Sequence, residues 1–175
     1  SKKYNCKLFN TKPSTSFQRN IGIKNKKKKS KFIMFLDDDI IFKKNAFINM
    51  HNAISRNKRK GINILGYGFN QINKIKLGNF EKIKNLKLTK LIGLYSDQPG
   101  IILNSGWQTK IINLRTNIYT DWMHSAALII PSNQLKSKFD ETFGRYSYLE
   151  DLDFSIQMKN KNKKGKFLAV SSAQF

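Results

Sequence analysis

Cysteine is almost absent. Cys6 stands alone, so no disulfide framework exists within the chain and a reducing compartment fits. Histidine is nearly as scarce: His51 and His124 are the only two, and without paired ligand spacing each reads as structural or solvated rather than as a metal ligand. No apolar run reaches the length of a transmembrane helix, and no signal peptide is visible. Zinc-finger spacing, an RNA-binding signature and a DNA-binding module are all missing, so a nucleic-acid partner is not expected. No internal repeat or linker divides the 175 residues, a length that suits one domain with a sizeable core. The chain opens on Ser1 and closes on Phe175 at the end of an apolar segment; a fragment of a longer protein is the expectation.

Acidic residues are the third shortage. Against 33 Lys plus Arg stand 11 Asp plus Glu, for a net charge of +22. Lys outnumbers Arg, and Asn and Ile are abundant, so a proteome-wide bias explains the charge as readily as attraction to phosphates or an anionic membrane does. The acids that remain are clustered. Eight of the 11 fall in Asp37–Asp39, Asp140-Glu141, and Glu150, Asp151 and Asp153. Three adjacent carboxylates repel one another, and a divalent cation is a natural partner for them; a solvated turn is the alternative. For Glu150 and Asp151 the alternative to a general base is the helix dipole, which favours acids in a first turn.

Patterning supplies the framework. Phe32 to Leu36 is a continuous apolar run, read as a strand buried on both faces in the interior of a parallel sheet. It ends on the acidic triplet, where open α/β sheets gather their ligands. Phe17 and Ile21 share a helical face before it. Phe47, Met50 and Ile54 predict a helix over 45–57, and 61–69 reads as the next strand. Residues 70–90 read as loop with a short helix or hairpin, and 91–120 as short strands broken by Pro99-Gly100 and Ser105-Gly106. A strand follows over 126–130, then a short helix over 133–138 and a last helix over 148–160. There Leu149, Leu152 and Ile156 form the inward face, opposite Glu150, Asp153 and Gln157. A final strand begins at Phe167, and Lys7 to Phe9 reads as a short strand near the start.

Four segments together carry a resemblance: Gln-Arg-Asn-Ile-Gly-Ile (18–23), Phe-Ile-Met-Phe-Leu-Asp-Asp-Asp (32–39), Phe-Asp-Glu-Thr-Phe (139–143) and Leu-Glu-Asp-Leu-Asp-Phe-Ser-Ile (149–156). In order and rough spacing they resemble the family 2 glycosyltransferases, over most of the chain. The resemblance implies a single, partial catalytic domain over 1–175. Its fold would be α/β, a GT-A-like, Rossmann-like nucleotide-binding domain with a mixed, mainly parallel central sheet flanked by helices. It implies inverting transfer from a nucleotide-diphosphate sugar to a saccharide, lipid-linked or protein acceptor, in cell-surface polysaccharide synthesis, with Mg²⁺ or Mn²⁺ as cofactor. By match, Asp39 holds the metal with Asp38, which also lies near the ribose. Asp37, Asp38 and Arg19 serve the nucleotide sugar, Asp151 is the base, and Glu150 lies beside it near the acceptor. Trp122 is the acceptor-stacking candidate, with a core role as its alternative.

The sequence also departs from that pattern. The family's first strand would precede Ser1, and its metal-binding His would follow Phe175. The small-residue turn before the 126–130 strand reads Trp122-Met-His-Ser-Ala. A cytoplasmic location is expected, with peripheral contact at the inner face of an anionic membrane as an option. The competing functions are a metal-dependent nucleotidyltransferase and a non-catalytic basic domain that binds an anionic membrane or polymer.

Overall fold

The apolar run Phe32–Leu36 forms strand β1, preceded by helix α1 (Thr15–Lys24) and followed by α2 (Ala46–Arg59), β2 (Ile64–Asn70) and a short α3 (Lys87–Leu91). Then come β3 (Ile118–Thr120), β4 (Ala127–Pro131), α4 (Glu150–Lys161) and β5 (Lys166–Gln174). The computed structural model describes residues 6–72, 87–144, 148–163 and 165–175; the expected hairpin or helix lies mostly outside them. The result is a mixed α/β fold with a five-stranded sheet in the order β1-β4-β2-β5-β3.

Strand sense differs from the expected mainly parallel sheet. Only β2 and β5 pair in parallel; β1–β4, β4–β2 and β3–β5 are antiparallel. The β-α-β succession does connect strands of one sense, but β4 inserts between β1 and β2 and runs against both. Chain order alone does not reveal such an insertion. β1 consequently stands at the sheet edge and not in its interior. Of its residues only Phe35 is buried, while Phe32 and Leu36 are exposed. The strand buried throughout is β2.

Side chains alternate across the sheet as the period of two requires. Leu128, Ile130, Phe167 and Ala169 face one core, with Trp122, Met123, Phe139, Phe154 and Met158. Ala127, Leu168 and Val170 face the other, covered by Ala46, Met50 and Ala53 of α2. In the first core the Phe139 and Phe154 rings stack at 4.1 Å, and Phe35 meets Phe139 edge-on at 5.3 Å. This packing draws β1, the 139 segment and α4 together.

Helix α1 is capped by Ser14, whose Oγ accepts from the Phe17 amide. It is fastened by Asn20. The Asn20 amide donates to the Phe139 carbonyl and to Glu141, and its oxygen accepts from the Phe139 amide, at 2.8–2.9 Å. The helix expected over 133–138 does not form: a turn follows Pro131, whose carbonyl accepts from the Gln134 amide, and an irregular run leads into Phe139. The strand expected over Lys7–Phe9 is also missing. Leu8 is almost fully exposed there.

Packing at two glycines gives a paired test. A Cβ on Gly165 would lie 2.5 Å from Cγ of the fully buried Leu65, whereas one on Gly22, within α1, would meet nothing. Gly165→Ala is expected to cost roughly 1–3 kcal/mol through overpacking. Gly22→Ala is expected to gain about 0.5–1 kcal/mol from backbone entropy. Urea unfolding midpoints of the two variants should therefore move in opposite directions.

Candidate active site

The site lies at the carboxyl end of β1. Antiparallel pairing sets that end beside the start of β4, where the Asp37 amide donates to the Ala126 carbonyl at 2.9 Å. The 122–126 turn therefore flanks the acidic triplet. β2 and β5 run in the same sense as β1, so Gln71, Ile72 and Phe175 arrive at this same end of the sheet.

Arg19 is the central cation. One guanidinium nitrogen donates to Asp37 Oδ1 at 3.0 Å and the other pairs with Glu150 Oε1. Its side chain is largely buried, with the guanidinium over the Phe139 ring. Arg19 thus ties the strand end to the start of α4, and both of its arms are engaged by carboxylates. Glu150 is buried and also accepts from Ser125 Oγ at 3.2 Å. Burial pushes its carboxyl pKa up, and the neighbouring Asp151 adds to the rise; Arg19 and Ser125 pull it back.

The helix that carries these acids keeps Leu149 and Leu152 against the core as expected, but Ile156 is not part of that face, and Phe154 and Met158 are. Glu150, Leu152, Phe154, Ser155 and Met158 are buried, while Ile156 is partly exposed. Phe154 and Met158 fix this orientation by packing in the first core, and Glu150, one turn earlier, is carried inward with them. Asp153 remains with Gln157, which donates to it at 2.7 Å. Leu149 enters the helix at φ 70°, a left-handed conformation rare for a bulky residue.

Asp151 faces the other way. Its Oδ1 accepts from the Leu152 amide at 2.8 Å, and its Oδ2 lies 3.5 Å from His124 Nδ1. The peptide around it is held by Ser155, whose Oγ donates to the Asp151 carbonyl and accepts from the Met123 amide. Two cavities meet here. One, of about 800 Å³, is lined by Trp107, Trp122, Tyr148, Glu150 and Asp151; the other, of about 430 Å³, by Asp37, Asp39 and Phe175. His124 lines both.

The triplet therefore divides. Asp37 is engaged by Arg19, Asp39 lines the smaller cavity, and Asp38 is exposed and lines neither. Among the described residues no three His, Cys, Asp or Glu side chains converge as a metal cage. Asp39 beside a ligand's phosphate oxygens is nonetheless a donor set that suits Mg²⁺ or Mn²⁺, which commonly take one or two carboxylates together with phosphates. Trp122 is buried, with Nε1 donating to the Thr109 carbonyl at 3.2 Å and the ring edge-on to His124 at 4.5 Å. It forms cavity wall.

Of the remaining acid pair, Glu141 accepts from Asn20, and Asp140 has a local role. Asp140 caps the 3-10 turn Glu141–Phe143 by accepting from the Thr142 amide and hydroxyl, which lowers its pKa. Pattern gives no role to Ser125 or Asn20, and it reads His124 as structural or solvated. The clue to His124 and Ser125 is their place just before a strand that turns out antiparallel to β1.

Comparison with protein-family models, with curated proteins and with solved structures gave no match to this chain. Among the described residues no helix is long and apolar enough to cross a membrane.

Arg19→Met is expected to destabilise the fold by roughly 3 kcal/mol at neutral pH, because it leaves Glu150 buried without its counter-ion. Glu150 already holds its proton to higher pH folded than unfolded, so its ionisation weakens the fold as pH rises. Removing Arg19 deepens that effect. The deficit should be largest at neutral pH and should narrow as acid protonates Glu150, and adding Glu150→Gln should recover part of it. Denaturant unfolding of the single and double variants between pH 4 and 8 checks this.

Proposed function

We propose that the chain is catalytic sequence of an inverting glycosyltransferase, using a nucleotide-diphosphate sugar as donor and an acceptor hydroxyl as nucleophile. One observation carries the reading. Carboxylates more than a hundred residues apart in sequence lie in two cavities that share His124 as a wall, Asp37 and Asp39 on one side and Asp151 on the other. Direct displacement needs such a division: an electrophile anchored by its leaving group on one side, and a base with the nucleophile on the other. The four segments that resemble family 2 glycosyltransferases support it too, since Arg19 and Asn20 join all of them through hydrogen bonds.

The donor diphosphate occupies the smaller cavity, where Asp39 would hold Mg²⁺ or Mn²⁺; Asp38, exposed and outside both cavities, is left without a place in that ligand set. When bound, the metal neutralises charge on the departing nucleoside diphosphate. Asp151 Oδ2 accepts the proton of the acceptor hydroxyl, which attacks the anomeric carbon from the opposite face. Its other oxygen is already engaged by the Leu152 amide, and His124 lies beside the reacting one. Glu150, buried and paired with Arg19, holds the start of the helix in place and leaves the proton to Asp151.

Calorimetry with nucleoside diphosphates, with and without Mn²⁺, tests the donor half. Asp39→Ala should abolish the metal-dependent affinity, whereas equal affinity in both proteins would remove Asp39 from the site. For the acceptor half, Asp151→Asn should keep nucleotide affinity while transfer by the intact protein falls on the order of 10²–10⁴-fold. Near-normal turnover of Asp151→Asn would contradict the mechanism.

A further inference from the structure

The two ends of the sheet carry opposite chemistry. β1, β2 and β5 run in one sense and β4 against them. The starts of those three strands and the end of β4 therefore share the end remote from the candidate site. Two backbone bonds close this end: the Ser132 amide donates to the Lys31 carbonyl, and the Lys166 amide to the Asn63 carbonyl. Four segments meet there, 24–31, 56–63, 131–138 and 159–166. These 32 residues of the 175 hold 17 of the 33 Lys and Arg and none of the 11 Asp and Glu. Composition explains how many lysines the chain has, not why they gather at one end. Fifteen of the seventeen are exposed, and among the described residues none of these fifteen is paired with a carboxylate. Asp121, which follows β3 at this end, is already held by Lys159 at 2.6 Å.

Two observations favour a lipid surface over a nucleic acid as the partner of so many cations. They stand on separate turns: with neighbouring strands about 4.8 Å apart, the starts of β1 and β5 lie roughly 14 Å from each other. That makes a broad front and not a single track. The cavity beside them, of about 520 Å³, carries Asp140 and Glu141 together with Lys136, Lys138 and Lys161. A nucleic-acid strand entering it would meet those carboxylates, whereas a membrane stays outside. Phe32 and Tyr119, both exposed at this end, supply aromatic rings of the kind that settle at headgroup level.

We propose that this end of the molecule is a docking surface for an anionic phospholipid membrane, with the lysines of segment 24–31 as its densest part. The candidate site opens at the opposite end of the sheet, so a docked molecule keeps both cavities open to solution. The inference uses no residue of that site and stands apart from the transferase reading.

The test is co-sedimentation of the intact protein with vesicles of phosphatidylcholine and phosphatidylserine at physiological salt, against phosphatidylcholine alone. The protein should bind only the anionic vesicles, and added salt should release it. Because any strongly basic protein is attracted to such vesicles, three variants that each lose four cations decide where the attraction lies. Two neutralise this end, one by Lys26, Lys27, Lys28 and Lys29→Gln, the other by Lys58, Lys60, Lys161 and Lys163→Gln. Each should weaken vesicle binding on the order of tenfold or more. The third, Lys7, Lys12, Lys43 and Lys44→Gln, lies outside the four segments and should change it by no more than about threefold. All twelve positions are exposed, and unfolding midpoints check that each variant is folded. Equal losses in the three variants would assign the attraction to the net charge of +22 and overturn the proposal. So would failure of the unaltered protein to bind anionic vesicles, or tighter binding to single-stranded RNA than to the vesicles at the same salt.

Discussion

The site depends on the guanidinium of Arg19. Without it, Glu150 would be a buried carboxylate with only Ser125 as partner, and Asp37 would sit at a strand end with two further carboxylates following directly. Burying Glu150 is costly in itself, as the upward shift of its pKa reflects. A cation that is shared between two carboxylates offsets part of that cost and fixes the distance between β1 and α4. The phenylalanine stack of Phe35, Phe139 and Phe154 does the same work in the core beneath it. Polar and apolar contacts thus join the same elements at two levels, and local propensity agrees with global packing.

From that junction the division of labour among the acids follows. Glu150 turns inward to Arg19 because its helix packs through Phe154 and Met158, while Asp151, one residue on, turns to His124, and both line the larger cavity. Likewise Asp37 pairs with Arg19, and it lines the smaller cavity together with Asp39. Neighbouring carboxylates thereby take different partners. His124 stands between the two sets, its ring braced by Trp122.

Much of this was legible in the sequence, for identifiable reasons. Phe32–Leu36, the helix after it and the strand ending in Asn70 are each dictated by a local apolar pattern, and the structure forms all three. The clustered acids of this basic chain point to Asp37–Asp39 and Glu150–Asp151, and the structure brings Asp37 and Glu150 together on Arg19. Spatial order was not legible. Nothing local tells β4 to lie between β1 and β2, so the sheet was expected to be mainly parallel with β1 inside it. The same gap hid His124 and Ser125, which matter only because β4 begins beside the end of β1. In helix α4 the apolar pattern brings Leu149 and Leu152 to the core, but it also assigns Ile156 to that face, where Phe154 and Met158 pack instead. The run 133–138 does not form the expected helix, and a distant side chain, Asn20, holds the backbone that follows it.

The central claim is direct displacement between two cavities separated by His124. It is tested most directly by the stereochemistry of the product. The intact protein would be supplied with Mn²⁺, an α-linked nucleotide-diphosphate sugar and a saccharide acceptor, and the new anomeric linkage assigned by proton NMR coupling. Inversion to a β-linkage is expected. A product that retains the α configuration would require a covalent intermediate or a front-face path, and would contradict a single displacement with Asp151 as base.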